Sequence, residues 1–378
     1  MKTAHRLDFI KDYYFAVKRE EIRRLEKKGE PFILMAIGNP DLPPPPEVIH
    51  SLIAHLNDKG AHGYQPYGGL PSFKAAIAQF YRKRFGVELD PETQILPLMG
   101  SKSGIMWLSL AFTDPGDWIL VPQPGYMAYA SVARLVGANV EVLPLEAEKK
   151  WKPDWAKNSD KIRRAKIMWL NYTNMPTGEP ASVEFLKETV AFLRDKDIIL
   201  AFDNPYSLIT RQPESVLKYA KNIYAVEFQS MSKNFNMAGW RIGWVAGHPE
   251  IIRQMAKVQS NIESGMFYPM QKAAETALDL ADDWLEKINS IYDKRKRKVL
   301  ELIQNFEGEC NTEGGGMFCW VKLPEGMSGK RLADEWFYKY HIFIAPGTIF
   351  GPQWDQYVRI SLTVSEAQYD EAIKRIRP

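Results

Sequence analysis

Cysteine is scarce: Cys310 and Cys319 are the only two in 378 residues. Two thiols build neither a disulfide framework nor a thiolate metal centre, and so few fit a reducing, cytoplasmic setting. An excess of charge of one sign is also missing. Lys and Arg number 49 against 46 Asp and Glu, a net charge of +3, which gives no electrostatic case for nucleic acid or a membrane surface. The one basic run, Lys294 to Lys298, leads into the apolar positions Val299, Leu300, Leu302 and Ile303 and reads as a solvated helix face. Long hydrophobic runs are absent: none approaches the ~20 residues of a membrane-spanning helix. The opening stretch, MKTAHRLDFIKDYYF, is too polar for a signal peptide. There is no internal repeat, and the only low-complexity stretch is Pro43 to Pro46.

What is present is the composition of an ordinary globular protein, 45% hydrophobic, 12% aromatic and 25% charged, with length enough for two domains. The most informative stretch is Ser230 to Gly243, SMSKNFNMAGWRIG. Lys233 lies there between hydroxyls and a fixed cation, on a loop joining two apolar runs. A lysine reacts with carbonyls only as a neutral amine, which desolvation or a nearby positive charge favours. Ser230 and Arg241 offer what a phosphate dianion needs, a hydroxyl and a guanidinium fork. Phosphate beside a Schiff-base lysine points to pyridoxal phosphate. Ser-x-Ser-Lys alone also fits a solvated loop, but the glycine-bracketed turn Gly239 to Gly243 is hard to justify on a plain surface.

Other segments offer parts of the same kind. Apolar positions at helical spacing predict a helix from about Asp8 to Lys28. A short apolar run then meets Gly38, whose missing side chain lets a backbone N–H approach a ligand. The loop Tyr64 to Pro71, YQPYGGLP, fits turn packing or a ligand contact. Gly100, Ser101 and Lys102 open a helix that runs to about Phe112, and such an N-terminus either binds phosphate or is a plain cap. Tyr126 follows the strand Trp118 to Pro122, where ligands of open parallel sheets collect; it stacks on a ring there or fills core. Asp203 ends the strand-like run from Asp197 and needs a partner if buried, with Tyr206 three residues on. Lys233 follows the next predicted strand, 223–229. A long helix is predicted from Tyr268. Near the C-terminus Arg359 lies inside the strand run Tyr357 to Ser361, so it needs an anion: a structural carboxylate or a substrate's.

In this order the motifs resemble those of class I/II aminotransferases, fold-type I pyridoxal-phosphate enzymes, from Ile37–Asp41 to the last strand. YQPYGGLP, RKRFGVELDPET, PLMGSK and SNIESGMF resemble the branch of LL-diaminopimelate, alanine and aspartate aminotransferases. The resemblance implies an α/β fold. A large domain with a mostly parallel sheet flanked by helices spans 38–270, and a small α/β domain comes from 1–37 and 271–378. It implies a homodimer with shared sites. Lys233 would hold the cofactor and act as general base, Asp203 would pair with the ring nitrogen, and Tyr206 would donate to the phenolic oxygen. Gly100, Ser101, Lys102, Ser230 and Arg241, with Tyr64 of the neighbouring subunit, would hold the phosphate, and Tyr126 would stack on the ring. Arg359 and the Gly38 amide would grip the substrate carboxylate. One position departs from the family's Asn-Pro-Thr-Gly loop: Met175 stands for the asparagine before Pro176, Thr177 and Gly178, and a thioether donates no hydrogen bond. The activity implied is transfer of an amino group between an amino acid and a 2-oxo acid; the alternative is carbon–sulfur β-elimination.

Overall fold

The computed structural model describes residues 2–29, 31–280 and 282–377; Met1, Glu30, Ala281 and Pro378, within the expected small domain, lie outside them. Its largest layer is an eight-stranded sheet in the order Ile95–Leu98, Gly243–Gly247, Ala225–Ser230, Ile199–Asp203, Ala165–Asn171, Trp118–Gln123, Asn139–Glu146, Lys152–Pro153. The five strands from Ala225–Ser230 to Asn139–Glu146 are mutually parallel. Gly243–Gly247 runs against both its neighbours. The central strands are buried throughout, which is why they read as continuous apolar runs rather than alternating ones. Helices such as Ser101–Phe112, Val183–Leu193 and Pro249–Ser260 bury apolar faces against the sheet in two separate clusters.

A second core joins the two ends of the chain. Ile22, Phe32 and Met35 pack with residues from Ile288 to Ile373, and Ile33–Leu34 pairs in parallel with Ile342–Phe343. Beside it a four-stranded antiparallel sheet carries Arg359 in Tyr357–Ser361, flanked by Phe318–Lys322 and Ala345–Pro346.

Three expectations change. The first helix begins later, at Tyr14, and ends at Glu26. The helix from Tyr268 stops at Asp279, where Leu280 turns to extended backbone, and a second helix covers Asp282–Ile303. The basic run on that second helix is not uniformly solvated: Arg295 is 3% exposed and donates two hydrogen bonds of 2.7 Å to the carboxylate of Asp41. A bidentate pair satisfies the guanidinium fork, which permits the burial.

Candidate active site

The carboxyl ends of the parallel strands open onto one cavity of about 420 Å³. Adjacent strands end in Asn171, Asp203 and Ser230. The reversed strand starts at Gly243, just after Arg241, and Ile95–Leu98 ends just before Gly100. Strand order therefore lays these residues side by side along one edge. The cavity's far wall is Arg359, Phe318 and Phe350 from the small sheet's side of the molecule and Tyr13, Phe15 and Arg19 from the first helix and its cap. Five cations line it, Arg19, Lys102, Lys233, Arg241 and Arg359, against one carboxylate, Asp203.

Lys233 sits in a one-turn helix, Met231–Asn234, rather than in an open loop; Ser230 caps it by accepting from Ser232 N at 3.2 Å. Burial, helped by Arg359 and Arg241, pushes its amine down to about 8. Its Nζ donates to the Gly38 carbonyl. The structural reason for glycine at that position is Phe318, whose Cζ would lie 2.3 Å from an added Cβ.

Asp203 is buried, and burial lifts its carboxyl to about 6. Its Oδ2 accepts from Tyr129 Oη at 2.5 Å, while Oδ1 has no hydrogen-bond partner. Tyr129, a residue the sequence reading missed, is held by stacking on Trp169 at 4.7 Å. Its signal is helical spacing, three residues after Tyr126. Tyr126 and Tyr206 both line the cavity, and burial raises both phenols.

Arg241 has a left-handed backbone, φ 59°, and its guanidinium packs on Gly100. An added Cβ there would lie 2.3 Å from Nη2, so only glycine lets the helix N-terminus at Ser101 and the guanidinium converge. Ser101, Lys102, Ser230 and Ser232 face the same space. Burial and the nearby Arg241 lower the Lys102 amine. Tyr64 is elsewhere: 94% exposed and outside the cavity of its own chain.

Arg359 is 3% exposed, and no carboxylate among the described residues pairs with it. Its guanidinium carbon lies 4.0 Å from the Phe318 ring centroid and 4.9 Å from that of Phe350. Nη2 donates to the Ala36 carbonyl, Nη1 to Met175 Sδ at 3.1 Å, and Nε has no partner. The structural salt bridge that the strand position allowed is therefore absent. Met175 faces the cavity, but Asn174 does not line it. Asn174's amide is committed to its own turn, accepting from Thr177 N and Oγ1 and donating to Asn171 O. Asn171, also missed in the sequence, lines the cavity and binds Met175 N and Asp203 O, each at 2.8 Å.

These features fit pyridoxal phosphate. The orphaned Asp203 Oδ1 suits a protonated ring nitrogen, the glycine-Arg241 cradle suits a phosphate, and Lys233 is a lysine poised to be neutral. With the mostly parallel sheet, they define a pyridoxal-phosphate-dependent enzyme of fold-type I. Residues 30–376 match the family described as Aminotransferase class I and II, and the chain belongs to that family. It is 36% identical over 382 residues to the LL-diaminopimelate aminotransferase of Dehalococcoides mccartyi, covering 100% of this chain and 98% of that protein. The Aquifex aeolicus enzyme of the same name is 36% identical over 379 residues, covering 98% and 97%. Among solved structures, substrate-bound BacF from Bacillus subtilis superposes with a TM-score of 0.94 at 32% identity, covering 100% and 97%. The chain is a transaminase; β-elimination gains no support from these relatives.

Proposed function

We propose that the cavity between the large sheet and Arg359 is the transaminase's catalytic site, with Lys233 as its covalent lysine. The observation that carries this is the convergence on one cavity of a depressed lysine, an orphaned buried carboxylate oxygen and a buried guanidinium with no carboxylate partner among the described residues. Pyridoxal phosphate, when bound, supplies an aldehyde that takes up amines and a ring that withdraws electrons from the amino acid's Cα. Lys233 Nζ would hold the cofactor and, in the reaction, would take the substrate's Cα proton as general base. Asp203 Oδ1 would hold the proton on the ring nitrogen, Tyr206 Oη would donate to the phenolic oxygen, and Tyr126 would cover the ring. Gly100, by letting the guanidinium approach, and Ser101, Lys102, Ser230 and Arg241 would hold the phosphate. Arg359 receives the substrate's α-carboxylate, with the Gly38 amide beside it, and the aromatic rings around Arg359 keep water away.

The working unit in this reading is a cytoplasmic homodimer in which Tyr64 reaches the phosphate of the partner's site. Its support is local. Tyr64 is exposed to solvent on a loop that is itself anchored: Leu70 N donates to Gln271 Oε1 at 2.8 Å, and Gly265 lies so close that a Cβ would meet the Gln65 and Pro66 carbonyls at 2.4 Å. A large aromatic on a rigid loop suits an interface. The division into 38–270 and 1–37 with 271–378 belongs to the same reading, supported by a core that takes both chain ends.

The test is conversion of the holoprotein's visible absorbance by single amino acids with no oxo acid present. LL-Diaminopimelate is included because relatives carry that name. The expected result is loss of the visible band to the shorter-wavelength amine form of the cofactor. In Arg359→Ala the same conversion should need roughly a hundredfold more amino acid, with the cofactor still bound, because a charge-assisted carboxylate pair is lost. A band that stays unchanged with every amino acid would remove the reading.

A further inference from the structure

Among the described residues Asp203 is the only carboxylate that lines the cavity, and its backbone and side chain are held by different means. The backbone is fixed twice: strand pairing sets Asp203 opposite Asn171 and Phe228, and Asn171 Nδ2 donates to the Asp203 carbonyl at 2.8 Å. The carboxylate has one hydrogen bond, from Tyr129 Oη to Oδ2 at 2.5 Å, and Oδ1 has none. Rotation of a carboxylate about its last bond is broad, so this one contact decides which oxygen is left free.

Tyr129 is itself firmly seated. It is 1% exposed, its ring lies flat on Trp169 at 4.7 Å and 8°, and its helix, Met127–Leu135, buries Ala128, Val132 and Ala133 along with it. Trp169 belongs to Ala165–Asn171, the strand beside Asp203's own, so the phenol and the carboxylate are referred to one sheet. Packing alone does not ask for the hydroxyl: a phenylalanine would stack on Trp169 as well, and a buried O–H is costly unless it is paired. Burial and the neighbouring Asp203 raise the phenol well above its ordinary range, so Tyr129 stays a donor and adds no second negative charge. Its O–H also opposes the burial that lifts the Asp203 carboxyl. Tyr126 stands three residues earlier, edge-on to Tyr129 at 5.5 Å, so one turn of chain presents both the ring proposed to cover the cofactor and the phenol that holds the carboxylate.

We propose that Tyr129 is a positioning residue for the cofactor's ring nitrogen: its hydroxyl fixes one oxygen of Asp203 so that the other is presented to the protonated nitrogen. The proposal rests on the catalytic-site reading above and adds a residue to it. Tyr129 does not line the cavity and acts through Asp203. No bond is made or broken at its oxygen.

The experiment takes the full-length protein freed of cofactor, as parent and as Tyr129→Phe, and measures by absorbance the affinity of each for pyridoxal phosphate and for its deaza analogue, in which a C–H replaces the ring nitrogen. The analogue keeps the aldehyde and the phosphate, so Lys233 and the phosphate groups meet both compounds alike and Asp203 tells them apart. The parent should prefer pyridoxal phosphate by about 10- to 100-fold, the range for a charged hydrogen bond. In Tyr129→Phe that preference should fall about tenfold while affinity for the analogue stays within about twofold. A residue that only fills core would weaken both compounds equally; that result, an unchanged preference, or a parent that does not discriminate would overturn the proposal. A second measurement needs no cofactor: the Asp203 carboxyl, followed by NMR with labelled aspartate and assigned with Asp203→Asn, should titrate at about 6 in the parent and higher in Tyr129→Phe, because a lost donor no longer favours the carboxylate. An equal or lower value in the variant contradicts the proposal. If the parent takes up neither compound, the catalytic-site reading fails instead, and the titration still decides on Tyr129.

Discussion

Lys233 shows how position sets reactivity. An ordinary lysine, with a pKa near 10.4, has well under about 0.1% of its amine neutral at pH 7. Burial beside Arg359 and Arg241 pushes Lys233 down to about 8, which raises that fraction to about 10%. Only the neutral amine attacks an aldehyde, so cofactor uptake by the empty protein should quicken with pH, reach half its limit near pH 8 and level off above it. Stopped-flow absorbance across pH 6 to 10 checks this; a rate still rising tenfold per unit at pH 10 would mean an ordinary lysine. Asp203 and Arg359 were legible in the sequence because each is costly where it stands unless it has work or a partner, and Lys233 because Ser230, Arg241 and the glycine-bracketed turn surround it. Arg19 was not: on a helix with Lys18, Arg23 and Arg24 it looks like any solvated cation, and only the fold turns it toward the cavity. Met175 was legible as a departure, but its contact with Arg359 spans 184 positions and no local pattern carries it.

At the scale of elements, a buried chain of hydrogen bonds ties the segment bearing Tyr206 to the one-turn helix bearing Lys233. Asn234 Nδ2 donates to Ser207 Oγ at 3.3 Å, Ser207 Oγ to Gln229 Oε1 at 2.9 Å, and Gln229 Nε2 to Glu227 Oε1 at 3.0 Å. Ser207 and Asn234 each follow directly on Tyr206 and Lys233. Glu227 is 0% exposed, and Tyr81 Oη, Ser215 Oγ and Val216 N also donate to it at 2.9 to 3.0 Å. Four donors converge on one carboxylate, so Glu227→Gln turns an N–H toward another donor. The expected loss is roughly 2–4 kcal/mol of stability, read as a lower denaturation midpoint, together with slower cofactor uptake. An unchanged midpoint would show that the network does not brace the site. The central strands could be read from their apolar runs, and their carboxyl ends from the polar residues that stop them. The reversed direction of Gly243–Gly247 and the place of Asn139–Glu146 next to the edge strand Lys152–Pro153 could not, because neighbour order is decided by contacts far apart in the chain.

Across the whole molecule, the lining of the proposed site comes from four regions that only the fold assembles: the first helix, the strand ends of the large sheet, the lysine turn, and the small sheet with Arg359. The α/β architecture was legible through the resemblance carried by the motifs in their order, and it agrees with helices covering both faces of a mostly parallel sheet. Which wall faces which was not. The proposed function gives all of these regions one covalent partner, Lys233, so the most direct test is chemical. The holoprotein is reduced with borohydride, which fixes the cofactor to the lysine that holds it, and the digested peptides are mapped by mass spectrometry. The account predicts the phosphopyridoxyl label on Lys233 alone, with no labelled peptide after Lys233→Ala. A label on Lys102 or any other lysine of the parent protein would contradict it.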